Sequence, residues 1–296
     1  MLVASCFSLT PILSAQNQPK RPRILGITEV RFFSTDLKGA RSFYTRVLGV
    51  KRTSLNLFSL NPLQSVALFD VPSPVPSSLL AEVVFETDNL NDLSRCLTAR
   101  KIEFTPTLTT VQTGDVLRPG YSALSLTDPE GHRISFKTIQ HPNRPSGVGA
   151  LGVTRIIHAG FIVQNRPAME HFYKDILGFR PYWHGGGKED GIDNWASFQV
   201  PDGSDWIEFM LNVPESADQR LRGIMNHIAL GVTDIHAAQE QLRKNGAALT
   251  EEPKIGRDGK WQLNLYDPDG TRVEFMEFTP VQKPCCSEFT APHPKP

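Results

Sequence analysis

Apolar positions in this chain come in short runs of strand length, broken by turn residues, and the same succession of runs recurs four times. From Thr28 to Val50 the chain reads as a short strand, a turn and an amphipathic helix, with Phe43-Tyr44 and Val47-Leu48 on the apolar stripe and Gly49 after it. Ile157 to Phe179 repeats the order with Phe172-Tyr173, Ile176-Leu177 and Gly178. A glycine is expected there because the position after a helix C-terminus needs positive φ. A second pair follows: Ala81 to Asp88 and His227 to Asp234 each read as an apolar strand entering a helix. Each is closed by a terminal strand, Arg133 to Lys137 or Arg272 to Phe278, opened by Asp128-Pro-Glu-Gly131 or Asp267-Pro-Asp-Gly270. In that turn Pro presets φ and Gly accepts the left-handed position.

The pattern predicts an α+β fold of four βαβββ modules, near 24–72, 80–139, 153–213 and 224–279, paired into two tandem domains. The N-terminal domain covers 24–141, a Pro- and Gly-bearing linker 142–152, and the C-terminal domain 153–280. Residues 281–296 carry further Pro without periodicity and are expected to form a disordered tail. Residues 1–23 read as a signal peptide or a disordered N-terminus. Leu2 to Leu13 is mostly apolar and Leu13-Ser14-Ala15-Gln16 resembles a cleavage site, but no basic residue precedes the run. The segment is too short to span a membrane. Localisation therefore stays open between export and cytoplasm.

Composition narrows the function. Lys plus Arg and Asp plus Glu both number 31, so the net charge is zero and no basic stripe favours nucleic acid or an anionic membrane. A small-molecule substrate is the expected partner. The four cysteines form no C-x-x-C pair, which argues against a thiolate zinc site. Adjacent Cys285 and Cys286 are not expected to bridge to each other.

Candidate chemistry lies in the C-terminal half. His158, Glu208, His227 and Glu274 recur as an imidazole followed by a carboxylate, twice, at nearly the same spacing and inside strand-like runs. The pattern suggests two copies of one module closing around a single divalent cation. An ionised Glu among apolar residues is costly unless paired or metal-bound. Alternation puts Glu274 on one face with Arg272, Met276 and Phe278 and puts Glu277 on the other, but does not choose between the two glutamates. By the offsets of the repeat, His158 maps to Glu29, Glu208 to Val66, His227 to Ala81 and Glu274 to Ser135, so the N-terminal domain is read as having no metal site. His184, in a Gly-rich stretch, is a candidate supporting group, and Trp183, Trp195 and Trp206 suggest an apolar cavity wall.

A helix bearing Phe-Tyr and ending in Leu-Gly, then Asp-Pro-Asp-Gly before a Glu-bearing last strand, together resemble the vicinal oxygen chelate superfamily. That group includes glyoxalase I, extradiol dioxygenases, methylmalonyl-CoA epimerase and bleomycin-resistance proteins. The resemblance covers about 24–280 and implies two tandem glyoxalase-like domains. It also implies that the first Glu after the turn, Glu274, is the ligand, and that His158, Glu208, His227 and Glu274 together hold one divalent metal per chain (Ni²⁺, Zn²⁺, Co²⁺, Mn²⁺ or Fe²⁺). Glu274 and Glu208 are then the candidate catalytic bases.

The activity so implied is a metal-dependent lyase or isomerase that acts on a small molecule with vicinal oxygens through Lewis-acid enolate stabilisation. An extradiol Fe(II) dioxygenase using His158, His227 and Glu274 is the alternative. Against it, Glu208 offers a fourth donor, and Leu265-Tyr266-Asp267-Pro268 lacks that family's gap between Tyr and the acidic-Pro pair. A non-catalytic, resistance-type binding protein is the third reading. Quaternary state reads as monomer or homodimer, since fused domains can replace the dimer of shorter relatives.

Overall fold

A computed structural model describes residues 19–113, 116–139 and 151–296, with the side chains of 109–121 excepted. The signal-like segment (apart from 19–23) and the linker (apart from 151–152) lie outside the described residues.

The chain forms two eight-stranded sheets of identical strand order. In the first, β1 (Ile24–Ser34) runs through α1 (Leu37–Ser42) and a π-helical turn (Phe43–Val47) to β2 (Lys51–Ser54), β3 (Leu57–Asn61) and β4 (Gln64–Asp70). A second unit follows: β5 (Leu80–Thr87), α2 (Leu90–Ala99), β6 (Thr105–Thr113), β7 (Val116–Thr127) and β8 (Arg133–Lys137). The second sheet repeats this with β9 (Val153–Ile162), α3 (Arg166–Glu170), a π-helical turn (His171–Ile176), β10 (Arg180–Gly185), β11 (Trp195–Gln199) and β12 (Trp206–Met210). A short α4 (Gln219–Met225) precedes β13 (His227–Val232), α5 (Ile235–Lys244), β14 (Lys254–Ile255), β15 (Trp261–Tyr266) and β16 (Arg272–Glu277). The strand orders are β2-β3-β4-β1-β5-β8-β7-β6 and β10-β11-β12-β9-β13-β16-β15-β14. Each is two βαβββ modules joined back to back through an antiparallel central pair, β1 with β5 and β9 with β13. This is the predicted architecture.

Local chemistry explains the helix starts. Asp36, Asn89, Asn165 and Asp234 each accept a bond from a first-turn amide, which satisfies donors the helix itself leaves free. The paired aromatics of the first helices, Phe43-Tyr44 and Phe172-Tyr173, are buried. One apolar core runs through both sheets, and Phe85 meets Phe179 across the halves at 5.4 Å.

The Asp-Pro-x-Gly turns do more than reverse the chain, for each grips the other half. Glu130 accepts the amides of Gln164 (2.9 Å) and Asn165 (2.5 Å) at the start of α3. Reciprocally, Asp269 accepts from Ser34 Oγ (2.6 Å) and the Thr35 amide (3.0 Å) before α1. Gln64 bonds both the Ile156 amide (2.8 Å) and its carbonyl (3.1 Å), and Asp205 accepts from the Ile27 amide at 2.9 Å.

The segment expected to be a disordered tail, 281–296, differs from that expectation: it lies as an extended strap against β10 and the β14–β15 hairpin. Val281 N donates to Gly259 O, Cys285 N to Arg257 O and Thr290 N to Tyr182 O, while Phe289 packs on Tyr182 at 4.8 Å. Backbone bonds and a lone aromatic leave no periodic trace in sequence. Cys285 and Cys286, expected not to bridge, are joined as a disulfide. Cys286 takes φ +70°, and this departure from extended backbone accompanies the pairing of neighbouring thiols.

Candidate metal centre

The central strands of the second sheet bring four side chains to one point. His158 sits on β9; register pairs it with Trp206 on β12 and Ala229 on β13, while the next residue on its face, Gly160, pairs with Glu208 and His227. On β16, Glu274 is opposite Ala229. Two residues on one face of β9 thus gather donors from three neighbouring strands. Gly160 makes the gathering possible: a Cβ there would lie 2.0 Å from His227 Cε1.

His158 Nε2 and His227 Nε2 are 3.0 Å apart. Glu274 Oε2 lies 3.5 Å from each, and Glu208 Oε2 lies 3.9 Å from His158 Nε2 and 3.7 Å from His227 Nε2. His158, His227 and Glu274 form a buried cluster able to hold a metal ion. Glu208 stands slightly outside it and, unlike the two imidazoles, lines the neighbouring cavity. The donor set fits a divalent cation. His227 Nδ1 donates to Met225 O at 3.0 Å, which leaves Nε2 unprotonated and able to act as a ligand. Two imidazole nitrogens bound at about 2.0–2.1 Å to one ion at a right angle would stand about 3 Å apart, the separation seen here.

Electrostatics separate the two carboxylates. Burial pushes the Glu208 carboxyl up, helped by the charge of Glu274 and opposed by His158. Burial acts the same way on Glu274, but Arg272 and the two imidazoles outweigh it and hold that carboxyl well below the usual range. Burial, with the charge of Arg272, pushes His227 down to about 3, so its ring is neutral at ordinary pH.

A cavity of about 370 Å³ opens beside the cluster, lined by Trp183, Trp195, Met276, Arg257, Asp258 and Arg272 together with both glutamates. Trp206 packs on His158 at 4.7 Å. The glutamate ambiguity of the last strand resolves here, since Glu277 accepts the Ile235 amide at the start of α5 instead (2.9 Å). His184 is not brought in: its Nδ1 pairs with Asp193 at 2.9 Å on the exposed side of β10.

Three polar residues of the site went unread in the sequence. Arg272 Nη2 donates to His227 Nε2 at 2.7 Å and lies 4.0 Å from Glu274 Oε2. Its position two residues before Glu274 on the same strand was the available signal. Fully buried Lys260 bonds the Tyr182 hydroxyl (3.3 Å) and lies 4.7 Å from the Trp206 ring, with Phe289 of the strap at 5.0 Å. Burial pushes it down to about 8, partly offset by Asp258. Asp258 and Lys260 flank a hairpin tip, where sequence gives no hint that the charges turn inward.

The equivalent point of the first sheet is built differently. Register places Glu29 opposite Val84, and Arg31, in the place of Gly160, opposite both Ala67 and Glu82. Ser135 pairs with Val84 as Glu274 pairs with Ala229. The counterparts of the four residues are therefore Glu29, Ala67, Glu82 and Ser135, which corrects the expected Val66 and Ala81 by one residue each. The Thr-Asp pairs that guided the alignment mislead, because the helix cap equivalent to Asp234 is Asn89 and not Asp88. Arg31 fills the point, with Nε 2.5 Å from Glu29 and Nη1 2.5 Å from Glu82, and Lys137 adds a 3.3 Å contact to Glu29.

The sequence model of the Glyoxalase/Bleomycin resistance protein/Dioxygenase superfamily matches residues 26–136 and 155–275. A lactoylglutathione lyase of Haemophilus influenzae is 30% identical over 125 residues, 42% of this chain and 92% of that protein. Homoprotocatechuate 2,3-dioxygenase from Brevibacterium fuscum, in its complex with 3,4-dihydroxyphenylacetate, aligns over 93% of this chain and 84% of its own at TM-score 0.62 and 17% identity. The enzyme of that name from Arthrobacter globiformis aligns over 87% and 80%, with TM-score 0.62 and 18% identity. At such identity the structural likeness is one of fold. Among the described residues no helix is long and apolar enough to cross a membrane.

Proposed function

The chain belongs to the Glyoxalase/Bleomycin resistance protein/Dioxygenase superfamily, and we propose that it is a metal-dependent lyase or isomerase of glyoxalase type acting on a small molecule with vicinal oxygens. The observation that carries this reading is the approach of Glu208 to both imidazoles opposite Glu274, which makes a four-donor set of His158, Glu208, His227 and Glu274. A divalent ion held there supplies Lewis acidity that polarises a carbonyl and stabilises enolate charge. The protein does the rest. Met225 O fixes the His227 tautomer, and Trp206 packs the His158 ring in place. Trp183, Trp195 and Met276 supply the apolar part of the cavity wall. Glu208 is the better placed base, because its contacts are longer, 3.9 and 3.7 Å to the imidazoles with a 3.4 Å contact from Ser197 Oγ, whereas Glu274 lies 3.5 Å from both imidazoles and is also approached by Arg272. Its carboxylate takes the proton alpha to a carbonyl and returns it to the adjacent carbon.

A second reading, an Fe(II) ring-cleaving dioxygenase, draws on the tighter grouping of His158, His227 and Glu274 without Glu208. Glu208 counts against it, as a fourth donor within 3.9 Å of both imidazoles. Elemental analysis of the purified protein, with His158→Ala as control, is the first test. No stoichiometric metal in either sinks both enzyme readings. Loss of metal in Glu208→Gln, with turnover of the methylglyoxal–glutathione hemithioacetal by the wild type, supports the four-donor site. Iron retained by that variant, with O₂ uptake on 3,4-dihydroxyphenylacetate, supports the dioxygenase.

A further inference from the structure

Of the cations at the cavity, Arg272 is the one whose acceptors are themselves candidate metal ligands. Lys254 pairs with Glu251 at 2.9 Å, Arg257 approaches Glu189 at 3.6 Å, and Lys260 sits beside Asp258 among aromatic rings. Arg272 is different. Its Nη2 reaches only His227 Nε2 and, more distantly, Glu274, and its buried Nε has no hydrogen-bond partner among the described residues. Both acceptors are groups that a metal would claim. An ion held by the four donors takes the His227 lone pair and neutralises the charge of both glutamates. A guanidinium cannot shed its proton, so Arg272 would face the cavity beside a dication with its protein acceptors taken and its buried Nε unpaired. The other half of the chain shows how such a group is satisfied: there Arg31, in the place of Gly160, is held between two carboxylates.

We infer that Arg272 is a specificity-determining residue that receives an anionic oxygen of the substrate, so that the substrate is a small organic acid with a carboxylate as one of its two vicinal oxygen groups, a 2-hydroxy or 2-oxo acid. This rests on the reading of His158, Glu208, His227 and Glu274 as metal ligands. A guanidinium N–H directed at the remaining carboxylate oxygen makes a charge-assisted hydrogen bond, stronger than one to a neutral amide oxygen. Arg257, whose buried Nη2 also has no hydrogen-bond partner among the described residues, offers a second donor on the same wall.

Calorimetric titration of the full chain with Zn²⁺, alone and with glycolate or its neutral amide glycolamide, tests this. Glycolate is expected to tighten zinc binding to the wild type by about tenfold, the size of one charge-assisted contact, and glycolamide to leave it unchanged. Arg272→Gln is expected to bind zinc alone at least as tightly as the wild type, its competing guanidinium gone, and to show no glycolate effect. Arg272→Lys keeps the charge without the guanidinium and should retain part of the effect; it also guards against misfolding of the glutamine variant. An equal glycolate effect in Arg272→Gln, or none in the wild type, overturns the inference while leaving the metal site standing. Failure of the wild type to bind zinc at all overturns the metal reading and this inference with it.

Discussion

At equivalent register, one half of the chain gathers two imidazoles and two carboxylates around a glycine, and the other gathers two carboxylates and a serine around an arginine. The strand order is the same in both, so backbone alone does not create the chemistry. The difference turns on one position of the central strand. Gly160 leaves room for the His227 ring and keeps the point open to a cation from outside; Arg31 brings a permanent cation on its own side chain. One arrangement is poised to bind, and the other is already satisfied.

The contrast is most exposed to a pair of truncations. His227→Ala should reduce bound metal from about one per chain towards none and lower turnover by about a hundredfold or more. Arg31→Ala should leave metal content unchanged and cost about 3 kcal/mol in urea unfolding, because Glu82, 4% exposed, loses its cation. A change of metal content in the arginine variant would break the contrast. A smaller probe is Gly160→Ala, whose new methyl meets the His227 ring; metal affinity should fall by about tenfold or more with the protein still folded.

The turn aspartates sharpen the comparison through pH. Asp128 Oδ2 is held by the Tyr173 hydroxyl (3.1 Å) and His132 (2.8 Å), whereas Asp267 Oδ2 has no hydrogen-bond partner among the described residues. Burial pushes Asp267 from 3.8 up to about 7. Its native state therefore holds a proton that the unfolded chain has released, and stability should fall by a few kcal/mol as pH rises from about 4 to about 7. Asp267→Asn, which keeps the acceptor for the Thr271 amide, should flatten that slope in unfolding curves taken across the window. The smallest expected effect is that of Asp269→Ala, about 1 kcal/mol, from the lost bonds to Ser34 and Thr35.

Much of this was legible in the chain. The fourfold module and the recurring imidazole–carboxylate order follow from apolar runs, turn chemistry and matched spacing, while the choice of Glu274 over Glu277 rests on the resemblance to the vicinal oxygen chelate superfamily. What escaped are features without a period. Thr87-Asp88 imitates Thr233-Asp234 one residue out of step with the helix caps Asn89 and Asp234, so Ala81 stands in the expected alignment where Glu82 belongs. Arg272 shares the face of Glu274 in the sequence pattern, but nothing there gives it a role, and the burial of Lys260 depends on how the hairpin tip folds inward. The strap at 281–296 binds by backbone bonds that composition does not record.

The reciprocal grip of the Asp-Pro-x-Gly turns has a consequence for what each half is free to become. Glu130 completes the first turn of a helix in the other domain, and Asp269 returns the favour. Each half is thus part of its neighbour's folding instructions, as protomers are in an obligate symmetric dimer. A substitution at Glu29 or Glu82 concerns the first domain alone; one at Glu130 reaches the strand-to-helix corner that follows His158, and so the chemistry, from the opposite end of the chain.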